Sequence, residues 1–91
     1  MQPAHYLALR LAREALRRGG GGTTLFNAAN EMAVAGFLAE QIGFLDIEKV
    51  VEETLDALAP PAPASVEAVL AIDAEARRWA QQRIERITAG G

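Results

Sequence analysis

The stretch Phe26-Asn27-Ala28-Ala29-Asn30-Glu31-Met32-Ala33-Val34-Ala35-Gly36-Phe37-Leu38 constrains the fold of this chain more than any other. Leu25, Ala29, Met32, Ala33, Phe37 and Leu38 recur at helical spacing, which puts one side of a helix in a core. Thr23 or Thr24 is the expected cap, and the helix reads from about 24 to 41. Gly43 is the expected left-handed stop. Asp46 is the expected cap of the next helix, 47 to 58, with Leu45 and Val50 spaced as a hydrophobic staple. Its apolar stripe is Ile47, Val50, Val51, Thr54, Leu55 and Leu58.

Upstream, Pro3 sits where a first helical turn tolerates proline, and a helix reads from 4 to 18. Ala4, Leu7, Ala8, Leu11, Ala12 and Ala15 line one face, which Leu9 and Leu16 are expected to widen. Arg10, Arg13 and Arg17 fall opposite, with Glu14 spaced to pair with Arg10 and Arg18. Gly19 to Gly22 end that helix in a flexible or left-handed connection. This is no phosphate loop, because no strand precedes it and no Lys-Ser or Lys-Thr follows. Downstream, the prolines between Ala59 and Ala64 require an extended connection. Ser65 caps a last segment, 65 to 88, whose stripe is Val69, Ile72, Ala76, Trp79, Ala80, Arg83, Ile84 and Ile87. Asp73 predicts a break near 72–73, and residues 89–91 should fray. No run alternates with the period of a strand. The chain is therefore expected to be all-α, one domain built as a small bundle of four to five short helices.

At 91 residues the chain is too short for a nucleotide-binding domain plus a substrate domain. A net charge of −3 argues against nucleic-acid binding, and the absence of cysteine removes disulfides and thiolate metal sites. No apolar run approaches the ~20 residues of a membrane span, and no signal-peptide layout opens the chain. A cytoplasmic setting is the expectation.

Few residues invite chemistry. His5 is the only histidine and has no partner near it in sequence. Glu48, Glu52 and Asp56 share a helix face that reads as a solvated acidic surface, since hard cations draw ligands from several directions. Lys49 is spaced to pair with Glu53. Asn27, Asn30 and Glu31 are the odd residues. Polar groups inside an apolar helix need partners, so the three read as a structural polar cluster that pins a loop or helix end. No nucleophile and base are paired, so no catalytic, cofactor-binding or metal-binding residue is assigned.

Several blocks in order resemble the C-terminal helical domain of 1-deoxy-D-xylulose 5-phosphate reductoisomerase. They are the opening helix Ala8-Leu9-Arg10-Leu11-Ala12-Arg13-Glu14-Ala15-Leu16, then Asn27-Ala28-Ala29-Asn30-Glu31 with Ala33-Val34 and Phe37-Leu38. Ile42-Gly43-Phe44-Leu45-Asp46-Ile47 follows, then Val50-Val51-Glu52 with Thr54-Leu55. Ser65-Val66-Glu67 and Val69-Leu70-Ala71-Ile72-Asp73-Ala74-Glu75-Ala76-Arg77 close the match. The chain departs where the family tends to have a proline, near Leu7. The resemblance implies a parent enzyme of the non-mevalonate isoprenoid route. That enzyme reduces and rearranges its substrate to 2-C-methyl-D-erythritol 4-phosphate with NADPH and a divalent metal, Mg or Mn. It also implies a homodimeric parent whose catalytic domain is this domain's partner, with all site residues upstream of it. Met1 then reads as the start of an excised domain or truncated frame. The alternative is a free-standing helical protein-interaction module, and a third reading is a small metal-binding domain using the acidic face.

Overall fold

The computed structural model describes residues 3–90, with side chains from Leu9 onward. His5, Ala4, Leu7, Ala8 and Gly91 lie outside the described side chains. The helices are α1 (Pro3–Arg18), α2 (Gly22–Leu38), α3 (Phe44–Ala57) and α4 (Val66–Gly90). Among the described residues there is no strand, and the bundle is all-α.

α2 is the hub. It packs on α1, α3 and α4, while α3 also touches α1 and α4. Among the described residues α1 and α4 do not meet. The cross-section is thus a flattened diamond with α2 and α3 on its short diagonal, only 18 Å through its thinnest direction. Helix axes pack 8–10 Å apart, so this is about two helices deep. α2 and α4 run in the same direction, Ile72 lying near Gly21 and Ile84 near Gly36. The core consists mostly of small and branched residues. Ala15, Leu25, Ala28, Ala29, Ala33, Val50, Val51, Leu55, Ala76, Ala80 and Ile84 are all essentially sealed from solvent. Alanines at these contacts let the helix axes come close, and Thr54, the one buried polar residue among the described residues, donates its hydroxyl to the Val50 carbonyl at 2.7 Å.

Helix ends differ from expectation in instructive ways. α2 starts at Gly22 with Gly21 as N-cap, so neither Thr23 nor Thr24 caps it. The Gly21 N–H donates to the Pro60 carbonyl at 3.0 Å, which joins the glycine run to the proline-rich connection and starts the helix early. α2 ends at Leu38, short of Gln41, in a Schellman turn. The Glu40 N–H donates to Phe37 O at 3.0 Å and the Gln41 N–H to Gly36 O at 2.9 Å. Glu40 takes the left-handed conformation at φ 62°. Gly43, expected there, is extended at φ −85° and is the N-cap of α3. Asp46 is not the cap but sits three residues on, its Oδ2 accepting the Gly43 N–H at 2.8 Å. With Gly43 as cap, the staple positions are Ile42 and Ile47, both in the core cluster, whereas Leu45 is exposed. Left-handed backbone costs a β-carbon residue about 1 kcal/mol. Glu40→Gly is therefore expected to raise the urea midpoint of the chain by about that amount of stability; an unchanged or lowered midpoint contradicts the strain.

Ser65 does cap α4, its Oγ accepting the Ala68 N–H at 3.1 Å. The break near 72–73 is absent, and α4 is continuous through Ala89 and Gly90. Asp73 spends its carboxylate on Arg77 one turn on, at 2.7 Å, and so does not compete for backbone N–H groups.

Candidate functional site

The densest polar arrangement is a seam of ion pairs that ties α3 to its neighbours. Arg10 of α1 reaches Glu48 at 3.0 Å and Glu52 at 3.2 Å. Two turns on, Arg18 binds Asp56 at 2.7 Å, Glu14 at 2.9 Å and the Leu55 carbonyl at 2.8 Å. On the other flank Arg83 of α4 grips Glu53 with two guanidinium nitrogens. The acidic row is a solvated face, with Glu52 and Asp56 exposed, and it is also half of an interhelical seam. Arg10 lies toward α3, not opposite the core, and Glu53 pairs with Arg83 and not with Lys49. The Glu48 and Glu52 carboxylates raise the Arg10 pKa, and Asp56 followed by Glu14 does the same for Arg18.

Arg17, then Arg18, hold the Glu14 carboxyl below the ordinary carboxylate range. A depressed carboxylate pKa contributes stability that is present above the unfolded value and is lost as pH falls through the folded one. Acid titration of unfolding should therefore show stability falling below about pH 4, with a shallower fall in Glu14→Gln. Identical acid limbs in the two proteins contradict the pairing.

Of the expected polar cluster, Asn27 and Glu31 are exposed and Asn30 is half-buried. Glu31, expected inside the apolar helix with Asn30, faces outward instead. The three share the outward side of α2, where Glu31 meets Arg77 at 3.3 Å. Asn27 and Asn30 make no side-chain hydrogen bond among the described residues. The glycine and proline connections enclose a pocket of about 330 Å³ lined by Leu25, Leu55, Leu58, Pro60 and Arg18. Because Arg18 is already engaged three ways, that pocket offers an anion little. No group of three His, Cys, Asp or Glu side chains among the described residues could hold a metal ion. No described helix is long and apolar enough to cross a membrane.

The arrangement is one of packing and charge pairing, and comparison with known proteins accounts for it. The family model described as the DXP reductoisomerase C-terminal domain matches residues 1–79. The chain belongs to that family. It is 52% identical over 82 residues to the 1-deoxy-D-xylulose 5-phosphate reductoisomerase of Zymomonas mobilis, covering 90% of this chain and 21% of that protein. The same identity and span hold for the Rhodospirillum centenum reductoisomerase, of which 20% is covered. For the Acinetobacter baumannii reductoisomerase the identity is 52% over 80 residues, covering 88% of this chain and 20% of that protein. The fold superposes on the solved Zymomonas mobilis reductoisomerase, a complex with NADPH, with a TM-score of 0.81 and 53% identity. That superposition covers 85% of this chain and 20% of the enzyme. The chain spans about a fifth of the length of the reductoisomerases it matches, as a C-terminal domain of the family would.

Proposed function

We propose that this chain serves as the helical C-terminal domain of an NADPH- and metal-dependent reductoisomerase. The enzyme converts 1-deoxy-D-xylulose 5-phosphate to 2-C-methyl-D-erythritol 4-phosphate in isoprenoid precursor synthesis, and the domain supports its catalytic domain while being inert alone. The parent is a cytoplasmic homodimer in this reading. The observation that carries it is the match to the C-terminal domain model over most of the chain, joined to a span of one fifth of each relative. The chain's own residues do not fit either small-molecule group. Dinucleotides sit where a glycine-rich turn joins a strand to a helix, but Gly19–Gly22 joins two helices. Glu48, Glu52 and Asp56 are already held by arginines. NADPH and metal therefore belong to the preceding part of such an enzyme, and Asn27, Asn30 and Glu31 serve structure there, not chemistry.

The test is a graft. The Zymomonas mobilis enzyme without its matching segment should turn over about a hundredfold more slowly, the loss expected when catalytic groups shift by ~1 Å. Placing this chain in that position should restore NADPH oxidation with 1-deoxy-D-xylulose 5-phosphate, while the chain alone shows none. A folded graft without restored activity overturns the reading, as does activity in the chain by itself.

A further inference from the structure

The two broad sides of the bundle are chemically unlike. On the α3 side, Glu48, Glu52, Glu53 and Asp56 are matched by arginines from α1 and α4, a surface finished with charge. On the α2 side, the exposed face of a 17-residue helix carries one charged residue, Glu31. A helix facing water ordinarily has a polar outer face rich in charge.

The flanks repeat the asymmetry. At 100° per residue, Leu16 of α1 falls on the flank away from Arg10, Glu14 and Arg18, and so toward the α2 side, whereas Leu9 borders a groove with Arg10, Arg13, Glu14 and Arg17. On α4, Val66 and Leu70 share a stripe with Asp73 and Arg77, and Arg77 reaches across to Glu31 of α2. With Leu38 of α2, these are exposed by half or more, Leu38 at 73%, Val66 at 75% and Leu70 at 62%, and they stand at the two ends of the α2 face, Val66 and Leu70 by its start and Leu38 at its finish. Leu45, at the start of α3, lies apart from them, and Phe37 and Val69 are exposed to a lesser degree, 36% and 37%.

We infer that the α2 side is the face on which the preceding four-fifths of a reductoisomerase seats, leaving the α3 side to solvent. The inference rests on the domain reading above. The occupant follows from the length of the relatives, about five times the matched span, all of which must precede a C-terminal domain. It follows too from charge: the centres of protein interfaces are poor in charged residues, and α2 itself carries only Glu31, already paired with Arg77.

The chain has no cysteine, so single cysteines can report each face. In the grafted enzyme, with host cysteines replaced, Asn27→Cys and Lys49→Cys mark the α2 and α3 sides. The α2-side thiol should label about tenfold more slowly than the α3-side thiol, because an interface excludes solvent. Leu38→Glu should erase that protection and lower activity, while Leu45→Glu should change neither. Equal labelling, or protection of the α3-side thiol in an active graft, overturns the inference and leaves the domain reading standing. A folded graft without activity overturns the domain reading and this inference with it. Protection of the Asn27→Cys thiol in the chain alone, rising with its concentration, would make a second copy the occupant and also overturn it.

Discussion

Ile84→Ala should lower the unfolding free energy of the chain by about 3 kcal/mol, within the ~2–5 kcal/mol typical of buried aliphatic truncations. Ile84 is 1% exposed and lies where three elements meet. A β-carbon at Gly36 of α2 would stand 3.3 Å from the Ile84 Cδ1 and 3.6 Å from the Ile42 Cδ1, so both isoleucines close over that glycine. The alanines around them on α2 and α4 have no side-chain length with which to collapse into a void, so the cavity term persists. A domain of this length has roughly 5–14 kcal/mol of stability at ~0.05–0.15 kcal/mol per residue. The change is therefore a large fraction of the total and readable as a displaced urea midpoint. A shift below about 1 kcal/mol would mean the site relaxes and that α4 is not packed on α2 as described.

Gly22→Ala should be comparably damaging for the opposite reason. A β-carbon there would stand 2.5 Å from the Ala15 carbonyl oxygen, a backbone atom fixed in the last turns of α1. No side chain can swing aside, so α1 and α2 must part, and overpacking of this kind costs about 1–3 kcal/mol or more. Helix propensity alone would favour the alanine by up to ~1 kcal/mol, so the sign of the measured change decides between close packing and propensity. Gly19→Ala offers the contrast. No atom lies within 4 Å of a β-carbon there, and only its left-handed φ of 70° resists substitution. A stabilised Gly22→Ala protein would contradict the close α1–α2 approach.

These two sites show what could be read in advance. Helix existence, the buried stripes of α2 and α3 and the Ser65 cap depend on neighbours within a turn or two, and such features are legible in a linear string. The glycine run signalled a helix end but not its parts: Gly22 is set by the close approach of the Ala15 carbonyl on α1, and Gly21 by Pro60, far away in sequence. The turn between α2 and α3 is displaced by three residues because Glu40 tolerates the left-handed position and frees Gly43 to begin α3. Asp73 reads as a breaker by itself, because the Arg77 that takes up its carboxylate is one turn on. The acidic row was visible, whereas its pairing with Arg10 and Arg18 depends on the register of α1 against α3, which no local pattern encodes. Asn27, Asn30 and Glu31 stand out in the sequence as unusual for an apolar helix. The exposure of Asn27 and Glu31 follows from the open side of the diamond, between α1 and α4, which is a fact of packing alone.

Size in the source cell tests the central claim most directly. An antibody to this domain, used on an extract of those cells, should reveal a polypeptide several-fold larger than the 9.7 kDa chain, and that polypeptide should oxidise NADPH with 1-deoxy-D-xylulose 5-phosphate. A single band at the size of the chain itself would contradict the account, because a helical domain made alone has no catalytic domain to support.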